Sequence, residues 1–503
     1  MDESVGRYTR RQRVGLVAGP ALFVLVWAFV PPPGMGPAAA AVLASTLWIA
    51  TWWVTEAVPI PATSLLPIVL FPTLGVTSVA DATAPYADPV VFLFLGGFAV
   101  ALAIERWDLH RRIALAILAL AGARARRLLL AFMVATGGLS MWLSNTATAM
   151  LMLPIGTAVV AQLEAIRGPG DEAPERATAP PTDALDAGDV PRSNFAAALL
   201  LGIAYAASIG GVATLIGTPP NAILAGLLRS TLGVDLGFFQ WMAFGLPLAA
   251  VFLLVAWRVL LAALPPEFRT LPESREVVAA QRAALGPMGR GERRTLAVFA
   301  LVAGGWLLRP FVIAPLFPGV TDAVIAVAGA MLAFLVPVDL ARGEFVLSWA
   351  DTRRLPWGVL LLIGAGFSLA AAVQDSGLDA WVADLLAGLA GTDAVWVVLA
   401  VATVTVVLTE IASNTATAAL LVPVMATLAL SLAVSPVVLM VAVAAQASLS
   451  FMLPVATPPN AIVFGSGYVT LPQMARVGVW LNLLAVALVT LFSLVWLPLV
   501  WGL

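Results

Sequence analysis

The 503-residue chain contains no cysteine, no lysine and a single histidine. Without cysteine it forms no disulfide, no thiolate metal site and no thiol nucleophile. Its one histidine, His110, stands beside Arg111 and Arg112, so no histidine pair exists to hold zinc. No paired carboxylates at an acid–base spacing take their place, and these gaps together argue against an enzyme. Charge is equally scarce. Asp, Glu, Lys and Arg make up 11% of the residues, against about 25% in soluble globular domains. Hydrophobic residues make up 61%, and the mean hydropathy is +0.99. A soluble globule is excluded, and a net charge of −2 leaves no basic field for nucleic acid. All 26 basic residues are arginine, a compositional habit that carries no mechanism.

What remains is long apolar runs with few breaks. A spanning helix needs about 20 apolar residues, which gives this chain about 11 transmembrane spans. The fold class is an all-α polytopic membrane protein; a transmembrane barrel would show short alternating segments. The start, MDESVGRYTRRQR followed by an apolar run, has the charge pattern of a signal peptide. PPPGMGP and a second long apolar run come next, not a cleavage site and a soluble domain, so the run reads as a retained first helix.

Two phrases occur twice. Residues 144–155 read SNTATAMLMLPI and residues 413–424 read SNTATAALLVPV, while TPPNAI fills both 218–223 and 457–462. The first pair sets an offset of 269, which also places Gly97-Phe98 on Gly366-Phe367, Leu109 on Leu378 and Ser140 on Thr409. The second pair has an offset of 239. The 30-residue difference is close to the length of the insertion 167–194, rich in proline, alanine and acids, which reads as a disordered loop.

Charge sets the orientation of the repeats. Segment 105–127 has six arginines, whereas its counterpart 374–396 has four aspartates and no arginine. Arginine collects on the cytoplasmic side and acids matter little, so equivalent segments face opposite sides. That is an inverted-topology repeat, the architecture of many secondary transporters. Arginines at 7, 10, 11 and 13 keep the N-terminus cytoplasmic.

The chain then divides at 1–90, 91–235, 236–356, 357–475 and 476–503. The first repeat, 91–235, holds a re-entrant hairpin over 128–162 and a helix over 195–230 broken at Gly217-Thr218-Pro219-Pro220. The second, 357–475, holds a hairpin over 394–432, entering from the other face, and a broken helix over 436–465. A charged cytoplasmic loop covers 265–294 and a last helix closes the chain over 476–503.

Non-helical backbone survives at membrane depth only where protein or a wet cavity satisfies it. The double proline of TPPNAI stops a helix, and SNT puts two hydroxyls and an amide at a hairpin tip. Carbonyls, hydroxyls and amide oxygens suit a hard cation; amides at helix starts suit a carboxylate. One such phrase is ordinarily a cap or a kink. Two copies of each, placed symmetrically, point to a site. None of the four phrases contains Arg or His, so bound cations would supply the charge that a bound anion requires, and they would bind first.

These phrases, with WWVTEAVPIPATSLLP at Trp52 to Pro67 and ATPPNAIVFG near the C-terminus, resemble the divalent anion:sodium symporter family. The resemblance covers the chain outside the insertion. It implies sodium-coupled symport of a C4-dicarboxylate in a bacterial inner (plasma) membrane by a homodimer. Each protomer would have scaffold helices at 1–90 and 236–356 and a transport domain that moves as an elevator. Two or more Na⁺ ions would be held by Ser140, Ser144, Asn145 and Gly217 in one half and by Thr409, Ala412, Ser413, Asn414 and Ala456 in the other. Substrate carboxylates would lie on Asn145, Thr146, Asn414 and Thr415, beside Thr218 and Thr457. Relatives with serine at the position of Thr218 would have a roomier pocket, so the preferred acid stays open. A sodium-independent exchanger, a proton-coupled carrier and a carrier of citrate or sulfate are the alternatives.

Glu410, three residues before Ser413, is a buried-acid candidate, but its repeat partner is Met141, so it lies outside the symmetric design. It reads first as a brace for the hairpin. Glu56 and Arg309 read as snorkelling residues near span ends, and His110 as interfacial. A channel would show charged rings or a filter, which the four phrases do not supply.

Overall fold

The computed structural model describes residues 8–29, 33–167, 193–386, 391–432 and 434–502. Among these, the chain is a bundle of α-helices with one two-stranded antiparallel ribbon, β1 (Pro337–Asp339) and β2 (Glu344–Phe345). Residues 168–192 of the insertion lie outside the described set.

Helix α1 (Arg10–Val24) opens on a Thr9–Gln12 capping box. It packs on α2 (Pro37–Thr55), where Gly15 and Gly19 leave room for Thr55, Trp48 and Trp52. Three short helices, α3 (Ile60–Thr63), α4 (Leu66–Thr73) and α5 (Val79–Thr83), lead to α6 (Pro89–Arg106). Asp88 caps α6 through the Val90 amide at 2.8 Å, and Pro89 sits at its first position, where a missing N–H costs nothing. Then follow α7 (Leu109–Ala119), α8 (Ala125–Ser140), α9 (Asn145–Arg167), α10 (Asn194–Val212), α11 (Pro219–Leu232), α12 (Phe238–Ala263), α13 (Glu273–Ala284), α14 (Arg290–Leu308), α15 (Ala314–Leu316) and α16 (Asp322–Leu335). After the ribbon come α17 (Trp357–Asp375), α18 (Leu378–Leu386), α19 (Ala394–Ile411), α20 (Asn414–Leu432), α21 (Pro436–Ala447), α22 (Pro458–Gly465), α23 (Leu471–Leu491) and α24 (Leu497–Trp501). The starts of α7, α8 and α9 fall on those of α18, α19 and α20 at the 269-residue offset, and α11 falls on α22 at 239.

Nine helical stretches among the described residues are long and apolar enough to cross a membrane, and four shorter apolar helices accompany them. At the centre is α10, in which every residue from Phe195 to Val212 is buried against α8, α9, α12 and α22. Without a hydrophobic drive between helices in lipid, close approach relies on small residues. Gly210 of α10 lies so near the Gly137 backbone of α8 that a Cβ would collide with it. The periphery is apolar: Val17, Leu254, Leu301 and Leu483 are all exposed, a surface suited to lipid tails rather than water.

One expectation changes. The loop 265–294 contains α13, whose Ser274 and Val278, one turn apart, turn inward where the helix packs on α7 and α9. His110 is 8% exposed, with Nδ1 3.2 Å from the Ile104 carbonyl oxygen, and burial lowers its pKa. Arg309 pairs with Asp322 at 3.3 Å.

Candidate functional site

Both helix pairs turn at their SNT phrase. Helix α8 ends at Ser140 and α9 starts at Asn145; α19 ends at Ile411 and α20 starts at Asn414. The hydroxyls of Ser144 and Ser413 accept from the amides of Ala147 and Ala416, each at 3.2 Å, which is ordinary N-cap chemistry. Capping therefore accounts for the serine side chains. It leaves Asn145, Thr146, Asn414 and Thr415, all partly exposed, with the hydroxyls of both threonines making no hydrogen bond among the described residues.

Each tip presents the same trio of oxygens. Ser140 Oγ lies 2.7 Å from Asn145 Oδ1 and 2.7 Å from the Ala207 carbonyl oxygen. In the second half Thr409 Oγ1 lies 2.8 Å from Asn414 Oδ1 and 2.7 Å from the Ala447 carbonyl oxygen. One hydroxyl proton serves two acceptors, so three neutral oxygens converge with lone pairs to spare. That chemistry fits a hard cation. Ala412 is extended (φ −128°, ψ 162°), which takes its carbonyl out of the α19 ladder.

Each break is strung by a buried asparagine. Asn221 Nδ2 donates to the carbonyls of Gly211 (3.2 Å) and Thr214 (2.7 Å), and Asn460 Nδ2 to those of Ser450 (3.4 Å) and Leu453 (3.1 Å). Among the described residues neither asparagine Oδ1 has a partner, nor do the buried hydroxyls of Thr148 and Thr417, which share one repeat position. Buried polar atoms ordinarily find partners; these four lie within the phrases, while others without one among the described residues, such as Trp53 Nε1 and Thr295 Oγ1, lie away from them. A Cβ on Gly211 would stand 2.5 Å from Asn145 Oδ1, so glycine is what lets the first break reach the first tip. Gly217 in turn packs on the Gly211 carbonyl.

The two halves meet. Thr218 Oγ1 lies 3.3 Å from Ser448 Oγ of the opposite break, α9 packs on α22, and α11 packs on α20. Thr218 and Thr457 are each 2% exposed, deeper than the tip residues, and Thr457 caps the Asn460 amide at 3.3 Å. Ala456 directly precedes that cap, its amide bonded to the Leu453 carbonyl at 3.2 Å.

The halves also differ. Glu410 Oε1 accepts from the amides of Phe451 (2.7 Å) and Met452 (2.9 Å) and from Asn482 Nδ2 (2.7 Å), and Oε2 accepts from the Leu453 amide at 3.0 Å. The carboxylate thus ties hairpin, break and α23 together. In the first half the Met141 carbonyl does the corresponding work, accepting from the Thr214 hydroxyl. A cation also approaches the second tip, where Arg11 Nη2 donates to the Ile411 carbonyl at 2.8 Å. Sequence reading missed Arg11, the carbonyls of Ala207 and Ala447, the two asparagines and Ser448. Only the asparagines carried a signal, as members of TPPNAI.

The family model described as "Sodium:sulfate symporter transmembrane region" matches residues 11–502. The chain is 41% identical over 499 residues to a sodium-dependent dicarboxylate transporter of Staphylococcus saprophyticus, covering 98% of this chain and 93% of the relative. A sodium-dependent dicarboxylate transporter of Staphylococcus aureus is 39% identical over the same length.

Proposed function

The chain belongs to the sodium:sulfate symporter family of divalent anion:sodium symporters, and from that premise we propose that it carries a C4-dicarboxylate into the cell by sodium-coupled symport. The observation that carries the reading is the duplicated trio of oxygens, Ser140–Asn145–Ala207 and Thr409–Asn414–Ala447. Two matched cation sites, one per repeat, hold two sodium ions at least.

In the first, Ser140, Ser144, Asn145 and the Gly217 backbone supply oxygens; in the second, Thr409, Ala412, Ser413, Asn414 and the Ala456 backbone do so. The dianion lies between the tips on Asn145, Thr146, Asn414 and Thr415, with Thr218 and Thr457 at the floor. Helices α9, α11, α20 and α22 all begin at these phrases, and their amide ends favour carboxylates with partial positive charge. That partial charge is too small for a dianion on its own. Sodium makes up the difference, so cations bind before substrate, and an empty or sodium-only carrier is a defined intermediate.

The repeats are inverted and the hairpins re-entrant, with the N-terminus cytoplasmic. A homodimer holds the scaffold helices still while the transport unit moves as an elevator. The family description names sulfate, and a site of amides and hydroxyls without a fixed cation suits it too, so sulfate is the second reading. Sodium-driven uptake of succinate into proteoliposomes, with sulfate and citrate in parallel, tests the assignment. Uptake of succinate that is indifferent to sodium overturns it.

A further inference from the structure

Helix α1 is peripheral. It packs on α2 and on its own continuation. Its polar contacts go the same way: Tyr8 to the Ala57 carbonyl, Gln12 to the Glu56 carbonyl and Trp52 to the Gly15 carbonyl. Arg11 breaks the pattern. Its Nη2 donates both to the Val54 carbonyl, in the last turn of α2, and to the Ile411 carbonyl, the last residue of α19. The final carbonyls of a helix lack intrahelical partners and carry partial negative charge, so a guanidinium there is well placed. One cation therefore clasps two helix ends, one on the outer α1–α2 pair and one on the tip of the second hairpin.

The level of this contact in the membrane is informative. Arg11 is the second residue of α1, at the arginine-rich end that the proposed function places in the cytoplasm. Helix α19 starts at the opposite, aspartate-rich end, and its 18 residues rise about 27 Å, nearly the full hydrocarbon thickness of about 30 Å. Its far end meets Arg11. The tip of a hairpin that enters from outside therefore stands at the cytoplasmic boundary, one residue from Ala412 and two from Ser413. Val455, in the break beside Ala456, is 72% exposed in this arrangement.

We propose that Arg11 is a positioning residue that latches the second hairpin tip in a cytoplasm-facing state, and that return of the carrier to the outside requires the Arg11–Ile411 bond to break. The inference rests on the orientation and second cation site proposed above. A hydrogen bond to a charged group, partly exposed, biases the two states by about three- to tenfold.

The cysteine-free chain makes the test direct. Val455→Cys is labelled with a membrane-impermeant maleimide from each face of sealed proteoliposomes, with an N-terminal tag reporting the face. The expected result is labelling from the N-terminal face, slowed by Arg11→Ala to the extent that an equilibrium constant about three- to tenfold smaller lowers the latched fraction, about twofold where that state starts at ten to one and up to tenfold where it is minor, partly restored by Arg11→Lys, and unchanged by Arg13→Ala, whose Nε bonds the Tyr8 carbonyl. An unchanged rate in folded Arg11→Ala protein overturns the latch and leaves the symporter reading intact. Labelling from the opposite face alone overturns the proposed orientation together with the latch, while sodium-driven uptake by the same vesicles reports on symport separately. As a second variant, Arg11→Cys/Ile411→Cys bridged by a short bis-maleimide should stop uptake; continued uptake by bridged protein also overturns the latch.

Discussion

Removing the Glu410 charge should loosen the proposed second cation site and leave the proposed first alone. In Glu410→Gln the amide oxygen keeps three donors, Phe451, Met452 and Asn482, but the amide nitrogen now faces the Leu453 N–H. Bonds to a charged acceptor exceed neutral ones by about 1 kcal/mol each, and an orphaned buried N–H costs about 1–3 kcal/mol, a gross loss of about 4–6 kcal/mol. Relief from burying a charge returns part of this, leaving about 2–4 kcal/mol. The loss falls on residues 451–453, which Asn460 holds from the other side through the Leu453 carbonyl. It also falls beside Thr409, the hydroxyl of the second oxygen trio.

The sodium concentration for half-maximal succinate uptake should therefore rise about tenfold or more, since each 1.4 kcal/mol is a factor of ten, while the protein still elutes as folded carrier. Asn482→Ala should show a smaller shift in the same direction. A Glu410→Gln carrier with wild-type sodium dependence would refute the reasoning. Uptake that instead loses a dependence on the proton gradient would make Glu410 a proton carrier.

Asn145→Ala and Asn414→Ala should each abolish uptake, and each single variant should do so, because each removes one amide oxygen from its own trio; near-normal uptake in either contradicts the paired site. Gly211→Ala should cut uptake at least tenfold, as the new Cβ would fall 2.5 Å from Asn145 Oδ1, and its counterpart position, Ser450, already carries a side chain, so Ser450→Ala should be mild. Asp351 is raised by partial burial, but the Ser348 hydroxyl and amide and Arg106 outweigh this and hold it below 3.8. A depressed carboxylate contributes stability above its unfolded pKa and loses it as pH falls through the folded one. The thermal midpoint should thus fall below about pH 4, and less so in Asp351→Asn.

The parts of the candidate site that were legible in the sequence are those where polar or ring-bearing residues interrupt an apolar run. Ser144-Asn145-Thr146 and Thr218-Pro219-Pro220 stand out because hydrocarbon tolerates them only with a reason, and their recurrence at fixed offsets supplied one. The all-α class followed from composition in the same way. Carbonyls of Ala207 and Ala447 gave no such signal, since any residue supplies the same oxygen and only the fold decides where it points. Arg11 and Ile411 are 400 residues apart, and nothing local marks a carbonyl as a docking point. Glu410 was visible as a misfit in an apolar run, but its partners are ordinary backbone amides of a segment whose irregular path, from Ser448 to Thr457, runs longer than its proline pair suggests. The helix α13 was hidden by its charges: with Arg275, Glu276 and Arg282 outward it reads as loop until Ser274 and Val278 are seen to share an inner face.

The most direct test of the central claim is uptake of radiolabelled succinate into proteoliposomes under an inward sodium gradient, compared with potassium in its place and with vesicles preloaded with unlabelled succinate. The proposed pair of cation sites predicts concentrative uptake with sodium, a sigmoidal sodium dependence and none with potassium. Uptake confined to preloaded vesicles and indifferent to sodium would contradict the account.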